Sequence, residues 1–455
     1  MAPFLHDTTS VEHSSTRGFR GYWRQPNLIA VDESEKLLKR GVWLYFFLLI
    51  FEGALRKWFF PGLATPLLVV RDPLALWLIV ATWQKGLLPT TMYIMGVFFI
   101  GTTGLFTSTL LGHGNILVAL YGARILLIHF PLIFVIGRIF NREDVLKIGK
   151  ATLYLAIPMA VLIALQFYSP QSAWVNRGVG GSLEGAGFSG ALGYFRPPGT
   201  FSFTNGNTLF FGLVSVFIFY FWINVHDINR FLLIGATIAL LIAIPLSISR
   251  SLFFQVGLSL LFSCFAISRK PKYLGKVLVF CIGIGLAFFF LSQTSLFSTA
   301  VEAFTARFVS ANESEGGLSG VLVDRYLGGL VGSLSASSEL PFFGHGLGMG
   351  TNVGSMLLTG DLTYLISEGE WGRLIGELGA LMGLAVIFLR LALCVNIVWA
   401  SYHKLMLGDL LPWMLLSFGL LVVPQGQWAQ PTSLGFSTLI GGLMLASLRV
   451  PKSSV

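Results

Sequence analysis

Charge is what this 455-residue sequence has least of: Asp, Glu, Lys and Arg make up 11% of it, where soluble proteins carry about 25%. That excludes an ordinary soluble domain. With 54% hydrophobic residues and a mean hydropathy of +0.76, the unit to count is the apolar run of about 20 residues. Cysteine is also scarce. Cys264, Cys281 and Cys394 all lie inside apolar runs, which excludes a disulfide framework or a thiolate metal site. The first forty residues have no apolar core, so the expectation is no cleavable signal peptide and insertion directed by the first span. There is no internal repeat and no inverted-repeat pattern.

What is present is a series of twelve apolar runs. They lie near 41–59, 66–84, 91–111, 116–137, 150–168, 207–224, 230–248, 251–268, 274–293, 371–395, 409–424 and 432–448. With both termini inside, nineteen of the 30 Lys and Arg fall in inner loops and tails, as the positive-inside rule requires. The formal charge of +9 is therefore mostly topogenic, and nucleic acid is excluded as a partner. The expected fold class is an all-α polytopic membrane protein of about 12 transmembrane helices. Its parts are a tail at 1–40 with a surface helix near Asp32–Arg40, a bundle at 41–293, a large outer segment at 294–370, C-terminal spans at 371–448 and a tail at 449–455.

The two long outer segments, 169–206 and 294–370, call for a function, because long structureless loops are rare in compact proteins. In the second, Leu318, Leu322, Tyr326, Leu330 and Leu334 recur every four residues, predicting an amphipathic helix with Asp324 and Arg325 on its polar side. Val301, Phe304 and Phe308 predict a shorter helix before it. The alternating glycines of 344–350 read as a flexible loop, since no strand–helix unit surrounds them.

Eleven basic residues escape the inside rule: Arg56, Lys57, Arg71, Arg124, Arg177, Arg196, Arg250, Arg307, Arg325, Arg373 and Arg390. Ten are Arg, the residue suited to bidentate contact with phosphate. Bland readings stand beside that one. Arg71-Asp72 reads as a self-neutralising pair, Arg56-Lys57-Trp58 as an interfacial anchor, and Arg124 and Arg390 as snorkelling or pairing within the bundle. Arg250 stands at a tight outer turn. Arg196 is stiffened by Pro197-Pro198-Gly199, and Asn205, Asn207 and Thr208 are expected to cap the helix that follows. Glu370, Arg373 and Glu377 share a helical face, with Glu368 just before them. His345 and His113 are lone histidines.

Arg196-Pro-Pro-Gly-Thr-Phe with Asn205, Asp324-Arg325, Pro341-Phe-Phe-Gly-His-Gly-Leu-Gly and Glu377-Leu-Gly-Ala-Leu-Met-Gly383 resemble the O-antigen polymerase and ligase superfamily, over about residues 40–448 in layout. The resemblance implies a glycosyltransferase of the bacterial inner membrane with two periplasmic loops and cytoplasmic termini. It further implies transfer of a glycan from undecaprenyl diphosphate without metal or other cofactor, amid membrane lipids and in company with chain-length regulators or flippases. Arg196, Arg250, Arg307, Arg325, Arg373 and Asn205 would then hold diphosphate and glycan, and Glu368, Glu370 or His345 would be the base. Ligases of the family carry a His-Asn pair about nine residues before the Glu that Glu377 matches. Glu368 stands there instead, which favours a polymerase over a ligase. A secondary transporter is the rival from another class, and it would place its ionisable residues at mid-membrane; a scaffolding subunit is a third reading.

Overall fold

The computed structural model describes residues 33–269, 293–314, 329–335, 340–361 and 365–449, with positions 275, 283, 289, 290 and 363 between them. Asp324, Arg325 and the apolar run 274–293 with Cys281 lie mostly or wholly outside the described residues, as does most of the predicted amphipathic helix. The described residues are 76% helical. In order come α1 (Glu33–Ala54), α2 (Arg71–Gln84), α3 (Met92–Leu110), α4 (Ile116–Ile139), α5 (Arg142–Tyr168), α6 (Thr204–Ile223), α7 (Arg230–Leu246) and α8 (Arg250–Ser268). They are followed by α9 (Ser295–Ser314), α10 (Gly329–Ser335), α11 (Asn352–Thr359), α12 (Glu370–Leu407), α13 (Leu411–Val422) and α14 (Pro431–Leu448).

Among the described residues, eight helical segments are long and apolar enough to cross a membrane, and α7 and α13 are shorter apolar helices. The transmembrane character expected from composition is therefore present. α6 and α14 are enclosed by other helices, and α14 packs along α4, α13, α5 and α6. Local signals explain several helix starts. Thr91, Asn115 and Ser249 accept first-turn N–H bonds of α3, α4 and α8, and Asn141 and Asp144 form a reciprocal box at the start of α5.

Four expectations need correction. First, residues 33–40 are no separate surface helix but the opening turns of α1. Second, all-α holds only in the main. Phe188–Ala191 (β1) and Tyr194–Arg196 (β2) pair antiparallel, Phe188 opposite Arg196, in the first long loop. Third, the run 371–395 is not one continuous span. Gly379 interrupts α12 at φ 78°, ψ 168°. In a straight helix Glu370 and Arg390 would stand about 30 Å apart, yet Arg390 Nη1 donates to Glu370 Oε1 at 2.7 Å. The limb 370–378 therefore folds back against the limb 380–407. A Cβ at Gly383 would lie 2.8 Å from Ile375 Cα, which locates the contact between limbs.

Fourth, the glycines of 344–350 are pinned rather than flexible. His345 N–H donates to Gly376 C=O at 2.8 Å and Gly346 N–H to Glu377 C=O at 3.0 Å, so the strap takes up carbonyls released by the break at Gly379. A Cβ at Gly348 would lie 2.1 Å from Val118 C=O, and one at Gly379 2.0 Å from Phe342 C=O. The strap is bound on its other side by Ser108, whose Oγ accepts from Leu347 N–H, and by His113, hydrogen-bonded through Nε2 to Leu347 C=O. His113 is thus structural. Irregular backbone of this kind is tolerated at membrane depth only where protein or a cavity covers it.

Candidate functional site

Two clusters of buried ionisable side chains lie among the described residues, and one short loop connects them. The first is built on the folded-back limb of α12. Arg373 donates from Nε and Nη2 to Glu370 at 3.1 and 2.8 Å and from Nη1 to Glu377. Arg390 donates to Glu370 from the other limb, with its guanidinium 3.8 Å over the Trp428 ring. Trp428 N–H donates to Glu370 Oε2 at 3.0 Å, and Gly350 N–H to Glu377 Oε1 at 2.9 Å. The shared helical face read from the spacing of 370, 373 and 377 is present. Its members are enclosed: Glu370 and Arg373 are each 2% exposed. Two carboxylates meet two guanidiniums, so this cluster is neutral in formal charge and acts as a clamp joining the limb, the glycine strap and the loop before α14.

The second cluster joins α1, α2, α4 and the start of α14. Arg71 donates from Nε to Glu52 at 2.9 Å and from Nη2 to Pro431 C=O at 2.7 Å. Arg124 donates from Nη1 to both Asp72 oxygens at 2.9 and 2.8 Å, and His129 Nε2 pairs with Asp72 at 2.9 Å. His129 Nδ1 is hydrogen-bonded to Tyr45 OH at 3.2 Å. Arg56 stands 3.6 Å from Glu52 and donates to Ser202 Oγ at 3.0 Å. Arg71 and Asp72 are therefore not a self-neutralising pair, because each serves a different helix. Arg56 and Lys57 are not interfacial anchors either. Both are buried, and Lys57 Nζ donates to Gly199 C=O at 2.7 Å.

The two π-helical turns among the described residues, Leu55–Phe59 and Ile125–His129, both sit at this cluster, where such bulges commonly mark function. In formal charge, three arginines, Arg56, Arg71 and Arg124, face two carboxylates, Glu52 and Asp72. Arg71 Nη1 and Arg124 Nη2 have no hydrogen-bond partner among the described residues, although Arg71 and Arg124 are 3% and 7% exposed. A buried cation in excess of its acids is costly unless an anion meets it.

The expected site residues divide accordingly. Arg196 is held half-buried on β2, and a Cβ at neighbouring Gly190 would lie 2.6 Å from Ile248 Cδ1 and 3.4 Å from Arg196 Cγ. That places Arg196 beside the Ser247–Ser249 turn from which Arg250 starts α8. Arg307 is on α9, which packs on β1 and α7 and meets Phe253 and Phe254 of α8 through Phe304 and Phe308. The predicted helix around Phe304 and Phe308 is therefore present. Arg196, Arg250 and Arg307 stand half-exposed on adjoining elements. Asn205 donates to Ser433 Oγ at 2.9 Å rather than capping α6, whose start at Phe203 has no side-chain cap. Asn207 and Thr208 also turn elsewhere, to Pro197 C=O and Ser249 Oγ.

Arg373 and Glu370 are brought together but are fully committed to each other and to Arg390 and Glu377. Glu368 remains exposed at the rim, and His345 has an exposed ring. A count of stray bases finds neither Glu52 nor His129 and takes Asp72 only as Arg71's neighbour, although all three are ionisable residues inside apolar runs. That signal alone marks a functional candidate. Compared with known proteins, the sequence matches no family model, and no curated protein aligns with it at a significant level.

Proposed function

We propose that this chain is a membrane-embedded glycosyltransferase that binds a polyprenyl-diphosphate-linked glycan and extends it at the outer face of the bacterial inner membrane. The observation that carries this reading is the buried guanidinium surplus around Arg71 and Arg124, with N–H groups left over for an anion. Arg196, Arg250 and Arg307, with Arg325 on the sequence alone, would add cationic contacts to the donor. Diphosphate is a good leaving group, so catalysis needs charge stabilisation at the leaving oxygens and a base at the acceptor hydroxyl. Arginines would supply the first, and Glu368, exposed beside the clamp, would supply the second. A twelve-span topology with cytoplasmic termini and periplasmic segments at 169–206 and 294–370 belongs to this reading.

Purified protein reconstituted in liposomes with lipid-diphosphate-linked repeat units is expected to yield a ladder of lengthening lipid-linked chains. Transfer of one unit to a separate lipid or protein acceptor, with no ladder, would mean ligase in place of polymerase. No consumption of any lipid-linked donor would reject the reading. Transport is a second reading with an observation in its favour: His129 lies well inside an apolar helix and pairs with Asp72 of a neighbouring one, and α12 is broken. Uptake of a solute into the same liposomes by wild type, without consumption of a lipid-linked donor, would favour it.

A further inference from the structure

The neutral clamp at Glu370 forms the floor of a small cleft that the cationic cluster does not share. Its walls carry Asn352 at the start of α11, Ser367 and Glu368 before α12, and Gln427 and Gln430 before α14. The enclosed space is about 10 Å³, room for roughly one water-sized group. Such a space admits a single hydroxyl rather than a whole ring. Amide and hydroxyl side chains offer donors and acceptors together, the pairing that sugar hydroxyls need. The floor presents no net charge, since Glu370 and Arg373 satisfy each other along with Arg390 and Glu377.

We infer that this cleft is the acceptor subsite of the proposed transferase. Asn352, Gln427 and Gln430 would hold a neutral sugar, and Glu368 would take the proton of its attacking hydroxyl. The inference rests on the reading above and deepens it. Gln427 Nε2 donates to Glu368 C=O at 3.3 Å, so the amide and the carboxylate-bearing residue are tied together. Glu370 is excluded as the base, because its two oxygens already accept from Arg373, Arg390 and Trp428.

The loop that closes the cleft also reaches the cationic cluster. Trp428 N–H meets Glu370, and three residues on, Pro431 C=O meets Arg71. Three residues span at most about 11 Å, so one short loop walls the acceptor cleft on one side and the cationic cluster on the other. In the reaction the acceptor oxygen forms a bond to the anomeric carbon. The bond from that carbon to diphosphate breaks, its electron pair leaves with the lipid diphosphate, and the hydroxyl proton passes to Glu368.

The test measures transfer by the full chain in liposomes with separately varied donor and acceptor, for wild type, Asn352→Ala, Gln427→Ala, Gln430→Ala and Glu368→Gln. The amide variants are expected to raise the acceptor KM at least about tenfold while leaving donor KM unchanged. Glu368→Gln is expected to lower kcat by about 100-fold or more with both KM values kept. Thermal midpoints close to wild type, expected for substitutions at a cleft rim, separate these effects from misfolding. An active wild type whose acceptor KM is unmoved by all three amide variants overturns the subsite alone. So does a rise in donor KM instead. A wild type that transfers no sugar overturns the subsite and the reading together.

Discussion

Replacing Glu370 with Gln is expected to destabilise the protein by about 3–5 kcal/mol, the usual cost of breaking a buried ion pair by removing one partner. The carboxylate accepts from Arg373, Arg390 and Trp428 N–H. An amide at this position turns one acceptor into a donor that faces guanidinium. Arg390 is 0% exposed and has no other carboxylate in reach among the described residues. The folded-back limb of α12 should then detach from the limb 380–407. Heating in detergent, followed by size-exclusion chromatography, should show a sharply lowered midpoint for Glu370→Gln. For Glu368→Gln, exposed two residues away, the midpoint should stay near wild type. Equal stability of Glu370→Gln and wild type would refute the clamp.

Asp72→Asn should be comparably severe, and for a related reason. Asp72 neutralises Arg124 through both oxygens and orients His129 from the other side. Its loss leaves Arg124 with the Tyr121 carbonyl and ring as its remaining contacts, at a similar cost of about 3–5 kcal/mol. Buried ion pairs can often be replaced by apolar side chains of like volume without loss of stability. Asp72→Leu combined with Arg124→Met is therefore expected to recover part of the summed loss of the two single changes, with a coupling energy of about 0.5–3 kcal/mol. Strict additivity of the two changes would mean that the pair does not act as a unit. The recovered double variant should still be inactive in sugar transfer, because a guanidinium N–H set is gone.

Much of the membrane architecture is legible in the sequence because apolar run length is a local property. Runs such as 91–111 and 251–268 correspond to α3 and α8 within a residue at each end. The break in α12 is not legible that way. Hydropathy is continuous across Gly379, and the fold-back is enforced by a strap more than thirty residues upstream whose glycines allow backbone to meet backbone. The same holds for the charges. Spacing predicts that Glu370, Arg373 and Glu377 share a face, but not that Arg390 closes the cluster, because that pairing requires the reversal. Arg71 and Asp72 are adjacent in sequence, which suggests a local pair. Their helix instead sets one toward α1 and the other toward α4, where longer-range partners compete successfully.

The central claim is that the buried guanidinium surplus reads a lipid-linked diphosphate. It is tested most directly by titrating the purified full chain with undecaprenyl diphosphate and, separately, with the uncharged undecaprenyl alcohol. Two charge-assisted hydrogen bonds at about 1.5–3 kcal/mol each predict that the diphosphate binds at least about 100-fold more tightly. Equal affinity for diphosphate and alcohol would contradict the account.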